Sequence, residues 1–186
     1  INGLAPDVWY SGRWLKQHDI RRTHQSNLIR GRGPDSMTVD NIVVSIEPAD
    51  RDTLDTLVAE TIEVAEPGDP TVHLQYLFDT DEFEEIIEQI DPDTGSAVSA
   101  DDVAARQESV IAPVAMLEDH GIDYEISGIS GGQPSEQIIR RANELDADLL
   151  VVGGSKRSPA GKAMFGDHAQ QVLLNASCPV LYVKRE

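Results

Sequence analysis

The stretch DADLLVVGGSKRSPAGKAMFGDHAQQVLLNASCPVLYVK, residues 146–184, decides the fold. Leu149-Leu150-Val151-Val152 is an unbroken apolar run, the pattern of a strand buried on both faces of a parallel sheet. It stops at Gly153-Gly154 and gives way to a loop carrying Lys156, Arg157 and Lys162. From Asp167 the pattern turns helical, with Ala169, Val172, Leu173 and Ala176 on one face. Cys178-Pro179 ends that helix and Val180–Val183 is a last strand. A strand that ends in glycine and opens toward a helix start is a place where backbone N–H groups can cradle phosphate. The same glycines also serve a plain tight turn.

Working back from residue 146, Ile138, Ile139, Ala142 and Leu145 are the apolar positions of a helix that begins at Pro134, where a helix tolerates proline. Gly128 to Pro134 reads as a loop, and Ile122–Ile126 alternates as a strand near a sheet edge. Ser99 and Asp102 form a capping-box pattern that starts a helix running to Gly121 through Val103, Val110, Val114 and Leu117. Pro113 is expected to bend it. Residues 79–99 are strongly acidic, with a short amphipathic stripe of Phe83, Ile86, Ile87 and Ile90. The turn cluster Asp91–Ser96 lacks the ligand positions of a calcium loop. Val72–Phe78 is a strand, a helix follows Asp52 with Leu54, Leu57, Val58, Ile62 and Ala65 inward, and Asn41–Ile46 is the first strand. Strands alternating with helices at this length predict an α/β domain: an open, doubly wound parallel five-stranded sheet with helices on both faces.

The chain of 186 residues carries 33 acidic and 15 basic side chains, a net charge of −18. Such a field repels nucleic acid and anionic membranes, so neither is an expected partner. The acids are dispersed, as in a solvated coat, and the four lysines are few, a composition resembling proteins of salt-accumulating halophiles. Residues 1–36 differ: six basic and three acidic residues give +3, against −21 for residues 37–186. Trp9 and Trp14 both lie there, and Met37 is the first methionine. This segment reads as a poorly ordered leader, cloning-derived or translated from an upstream start, or else as a basic arm for an acidic partner. No apolar run approaches a membrane span and no signal-peptide pattern opens the chain, so a cytoplasmic protein is expected.

Catalytic constellations are not suggested. Cys178 is the single cysteine, best read as a small buried residue. His73 lies in a strand without His or Cys at metal spacing, so no metal site is expected. His168, beside Asp167, reads as a surface residue on a first helical turn rather than a general base. Gly161-Lys162 is a near miss for a P-loop: Ala163 replaces Ser or Thr and Lys156 stands where the opening glycine belongs.

From Met37 onward the ordered set of pieces resembles the universal stress protein family. They are Asn41–Ile46, Gly132–Ile139, Ala147–Gly153 and Val172–Val183, spread over about 150 residues. The resemblance implies a strand order of 3-2-1-4-5 and a homodimer through the last strand. Many members bind ATP or AMP and others do not. In the binders a Gly-x-x-Gly-x9-Gly-Ser/Thr motif holds the phosphates; here the frame falls on Gly153, Lys156, Gly166 and Asp167, with lysine for the second glycine and aspartate for the hydroxyl residue. The acidic residue after the first strand is Glu47, and the adenine-side backbone contact falls near Leu77. The implied ligand place is the crevice between strands one and four, where the strand order reverses.

Two readings stand side by side. One is a stress-response or signalling module that binds ATP or AMP through Glu47, Leu77, Gly153, Lys156, Arg157, Lys162, Gly166 and Asp167. The other is a nucleotide-independent dimeric interaction protein on the same fold. Lys156, Arg157 and Lys162, three of nine basic residues after Met37, favour the first. Asp167, a carboxylate at a helix start where a phosphate would sit, favours the second.

Overall fold

The computed structural model describes residues 8–10, 13–15, 39–50, 53–90, 98–154 and 167–184. The chain divides into two units, Ile1–Met37 and Thr38–Glu186. In the first, β1 (Val8–Tyr10) and β2 (Arg13–Leu15) form an antiparallel hairpin with Trp9 opposite Trp14. The hairpin lies in the segment whose sequence reads as a leader.

The second unit runs β3 (Asn41–Ile46), a one-turn 3-10 helix Pro48–Asp50, α1 (Leu54–Ala65), β4 (Thr71–Phe78) and α2 (Thr80–Ile90). It continues with α3 (Ala100–Ala104), α4 (Glu108–Asp119), β5 (Asp123–Ser130), α5 (Pro134–Glu144), β6 (Leu149–Gly154), α6 (Asp167–Asn175) and β7 (Val180–Lys184). The sheet order is β5-β4-β3-β6-β7, and all its pairings are parallel. Counted from Asn41 this is 3-2-1-4-5, the order the family resemblance implied.

Period-two alternation sends successive side chains to opposite faces. Ile42, Val44, Ile46, Val72, Leu74, Tyr76, Phe78 and Val151 join Leu57, Val58, Val103 and Leu117 in a core under α1, α3 and α4. Val43, Leu77, Leu150 and Val152 join Ile138, Ala142 and Val172 in a second core under α5 and α6. The sheet is therefore covered on both faces. Among the described residues no helix is long and apolar enough to cross a membrane.

Several boundaries moved. The helix expected from Ser99 to Gly121 is two helices, broken at 105–107, where Gln107 is extended (φ −70°, ψ 134°). Pro113 stays inside α4 with its ring buried. The Ser99–Asp102 capping box is present: Asp102 N–H donates to Ser99 Oγ at 3.1 Å and Ser99 N–H to Asp102 Oδ2 at 3.3 Å. Gly128, Ile129 and Ser130, read as the start of a loop, extend β5. The reason is α3, which lies against this edge strand. A methyl group at Gly128 would sit on the Ala100 carbonyl, and Gly128 N–H donates to Asp101 Oδ1 at 2.8 Å. The glycine marks close packing, not a turn.

Candidate functional site

The ladder between β3 and β4 ends at Ile46–Tyr76, and that between β3 and β6 ends at Ser45–Val152. Leu77 and Phe78 continue past β3, paired with Ile129 and Ser130; on the other side Gly153, level with Ile46 in the register, and Gly154, one residue beyond it, are paired with Val183 and Lys184. The central strand thus ends before either neighbour does, leaving a notch at its carboxyl end. The chain leaves β3 for α1 on one face and leaves β6 for α6 on the other. Adjacent strands whose connections part in opposite directions form the ligand crevice of an open α/β sheet. Three sequence-predicted residues meet at this end: Glu47 follows the last residue of β3, Leu77 borders the notch from β4, and Gly153 borders it from β6.

Lys156, Arg157, Lys162 and Gly166 lie outside the described residues. Asp167 is the first residue of α6, and its side chain lies outside them too.

A residue the sequence reading did not single out stands in the notch. Asp50 closes the one-turn helix after β3 and is 4% exposed. Its Oδ2 accepts the Glu47 N–H at 2.9 Å, and its carbonyl accepts Thr53 N–H at 2.8 Å and Thr53 Oγ–H at 3.1 Å. The space where a Cβ on Gly153 would stand holds the Asp50 carboxylate, with Oδ1 2.5 Å from that position. On the opposite face, the Tyr182 hydroxyl from β7 occupies the place of a Cβ on Gly154. Both glycines are required by the protein's own side chains. The available signal was Glu47-Pro48-Ala49-Asp50, a proline-opened turn whose last side chain can bond back to the first N–H.

Beneath α5 lies a polar layer that starts near the other end of the strands at His73 and reaches Gln75, opposite Ser45. His73, 6% exposed, places Nε2 3.3 Å from Asn41 Oδ1 and Nδ1 3.2 Å from Glu125 Oε2. The second contact is an ion-pair approach rather than a directed hydrogen bond. Burial holds the His73 pKa below its usual value; the Glu125 carboxylate partly offsets this and the Arg141 guanidinium adds to it. The Gln75 amide, fully buried, donates weakly to the Gln137 carbonyl at 3.5 Å. Among the described residues no group of three or more His, Cys, Asp or Glu is placed to hold a metal ion. His168 is half-buried on the first turn of α6. Cys178 is half-buried, and burial raises its thiol pKa, so it is not an activated nucleophile.

An open groove of about 670 Å³ runs between α5 and α6. Ser135 Oγ–H donates to Gln171 Oε1 at 2.7 Å there, and Arg140 pairs with Glu144 at 2.9 Å. None of its lining residues belongs to the notch at the strand ends.

Residues 38–184 match the universal stress protein family model. A universal stress protein of Mycolicibacterium smegmatis is 39% identical over 80 residues, 43% of this chain and 62% of that protein. Universal stress protein E of Escherichia coli K12 is 31% identical over 143 residues, 76% of this chain and 44% of that protein. The chain thus matches less than two thirds of the length of either relative. A solved structure of the universal stress protein from Archaeoglobus fulgidus in complex with dAMP superposes with a TM-score of 0.52 at 22% identity, covering 78% of this chain and 98% of that one. The match runs from residue 38 to the last residue of β7 and so takes in the whole five-stranded parallel sheet; the chain belongs to the universal stress protein family.

Proposed function

We propose that the chain is a stress-response module that binds an adenine nucleotide, ATP or AMP, at the carboxyl end of the sheet. The nucleoside lies in the notch above β3, bordered by Glu47, Leu77 and Gly153. The phosphates are taken by Lys156, Arg157, Lys162 and Gly166, in the sequence between β6 and α6. The observation that carries this reading is the notch itself, with connections parting to opposite faces beside it. The dAMP bound by the Archaeoglobus fulgidus relative supports it. No catalytic role is assigned.

Asp167 opposes phosphate binding, since like charges ~4 Å apart repel by about 4 kcal/mol at an effective dielectric near 20. Isothermal calorimetry with AMP and ATP tests the reading. The parent chain binds weakly, and Asp167→Ser tightens binding by about one to two orders of magnitude. Absence of binding in both proteins contradicts it.

The second reading is a dimeric interaction protein that needs no nucleotide, favoured by β7. It is an edge strand whose Val180, Leu181 and Tyr182 are only partly buried. An apolar edge left open invites pairing with a second copy. Sedimentation in high salt checks it: a dimer at micromolar concentration is expected, and a monomer contradicts it. The acidic coat goes with a cytoplasm rich in salt. The unfolding midpoint then rises between low and molar KCl, as the Debye length shrinks to ~3 Å at 1 M. A flat midpoint contradicts the halophile reading.

A further inference from the structure

α1 and α5 cover opposite faces of the sheet and are held to it differently. α1 buries Leu54, Leu57, Val58, Ile62 and Ala65. α5 buries Ile138 and Ala142 as its apolar contacts, with Ile139 half-covered. The rest of its underside is polar. The Gln75 amide reaches the Gln137 carbonyl only at 3.5 Å, and Arg141 Nε is buried with no hydrogen-bond partner among the described residues. Toward α6 the links are the hydroxyl–amide pairs Ser135–Gln171 and Ser177–Asn143. Both ends of α5 pass through left-handed backbone: Gly131 and Gly132 lead in at φ +80° and +79°, and Asp146 leads out at φ +47°. Paired glycines give the entry the freedom of a hinge, and the N-cap residue Gln133 makes no side-chain bond to hold the first turn.

His73 is the titratable group of the layer beneath this helix. It stands opposite Glu125 of β5 in the register, with Nδ1 3.2 Å from Glu125 Oε2. Its Nε2 is 3.3 Å from Asn41 Oδ1 of β3, and the Asn41 N–H is held in turn by Asp148 Oδ2 at 3.1 Å. From α5 the Arg141 guanidinium acts on the ring, with the Glu144 carboxylate 3.9 Å beyond it. A proton on His73 therefore places a second cation near Arg141 in a buried site, and the half-exposed Glu125 offsets only part of that cost.

We propose that this layer is a proton-operated latch on α5: with His73 neutral the helix lies closed on the sheet, and with His73 protonated it swings away about Gly131-Gly132 and Asp146 while the apolar face under α1 and α4 stays packed. Release hydrates the ring, parts it from Arg141 and dismantles the groove between α5 and α6. In the open state the ring takes its proton near the ordinary value of about 6.5. The open fraction then rises by up to about tenfold per pH unit below that value, until the lower closed-state value is reached. The device needs no ligand, so its test is separate from that of the nucleotide reading.

The test is amide hydrogen exchange of the full, isotope-labelled chain between about pH 7.5 and 5, read as protection factors so that the pH dependence of the chemical step drops out. In the parent, the α5 amides from Ile139 to Glu144 are expected to be less protected than those of β3 and α1, and their protection to fall by at least about threefold on acidification. In His73→Gln that fall disappears. Equal protection of α5, β3 and α1 at every pH shows a helix that leaves only with the whole domain and overturns the proposal. A pH-independent parent, or a fall that His73→Gln retains, overturns it too. Glu125→Gln, at a half-exposed side chain, covers the case in which His73→Gln does not fold. Loss of that carboxylate is expected to lower the His73 titration midpoint, followed by imidazole NMR, and to keep the acid-induced loss of α5 protection at least as large as in the parent. An unmoved midpoint, or a smaller loss, overturns the proposal.

Discussion

The two faces of the sheet are built by the same strands and are different in kind. Toward α1 and α4, β4 presents Val72, Leu74, Tyr76 and Phe78, all buried and all in one hydrophobic core. Tyr76 and Phe78 meet edge to face at 4.6 Å, and Phe78 meets Phe83 of α2 at 5.1 Å. Toward α5, the same strand presents His73, Gln75 and Leu77. Only Leu77 of these joins the apolar core there. Gln75 Oε1 and Arg141 Nε are buried on that side and find no hydrogen-bond partner among the described residues. An apolar face is satisfied by shape alone, whereas a polar layer must find a partner for each atom. The first face should therefore carry stability and the second should carry pH dependence.

The largest effect is expected from Leu74→Ala, which empties a site 1% exposed at the centre of the apolar face. Urea unfolding should show a loss of about 2–5 kcal/mol. A loss under about 1 kcal/mol would mean that this face is loosely packed and would erase the contrast.

His73 comes next. Its folded pKa is lowered, chiefly by burial, so protonation is disfavoured in the folded state and the unfolded chain takes the proton first. The contribution is whole above about pH 6.5, the unfolded value, and stability is lost as pH falls from there toward the lower folded value. Glu125 from β5, Arg141 from α5 and the Asn41 amide from β3 are the groups that meet the ring. Comparing unfolding midpoints of the parent and His73→Gln between pH 7.5 and 5, about a unit and more on either side of 6.5, isolates the effect. The dispersed acids protonate alike in both proteins and cancel in the difference. Parallel curves would show that the polar layer does not titrate.

The smallest effect belongs to Gln75→Leu. Removing a buried amide whose acceptor is unsatisfied and whose donor bond is weak should be neutral or stabilising, within about 1 kcal/mol. A loss of several kcal/mol would place a bridging partner on Gln75 that sharpens the polar face into a full network.

Much of this architecture was legible in residue order. The apolar runs at 41–46 and 149–152 marked the doubly covered strands, Pro134 opened α5, and Ser99 with Asp102 capped α3. Each of these is a local signal. The strand order came from the family resemblance and not from periodicity. What stayed illegible depends on neighbours distant in sequence. Gly128 looks like a turn residue until α3 is laid against β5, because the Ala100 carbonyl 28 residues earlier is what forbids a side chain there. Asp50 looks like one acid among many until β6 brings Gly153 beside it, 103 residues later. The break at 105–107 was missed because Pro113 was the stronger local signal, although α4 accommodates that proline.

The most direct measurement is amide chemical-shift mapping of the full, isotope-labelled chain during titration with AMP. Shifts should concentrate on Glu47, Leu77, Gly153 and Gly154 at the carboxyl end of the sheet, while His73 and Glu125 near the other end stay still. No shift at roughly 10 mM AMP, a concentration that would reveal even millimolar affinity, or shifts confined to the groove between α5 and α6, would contradict a nucleotide site in the notch above β3.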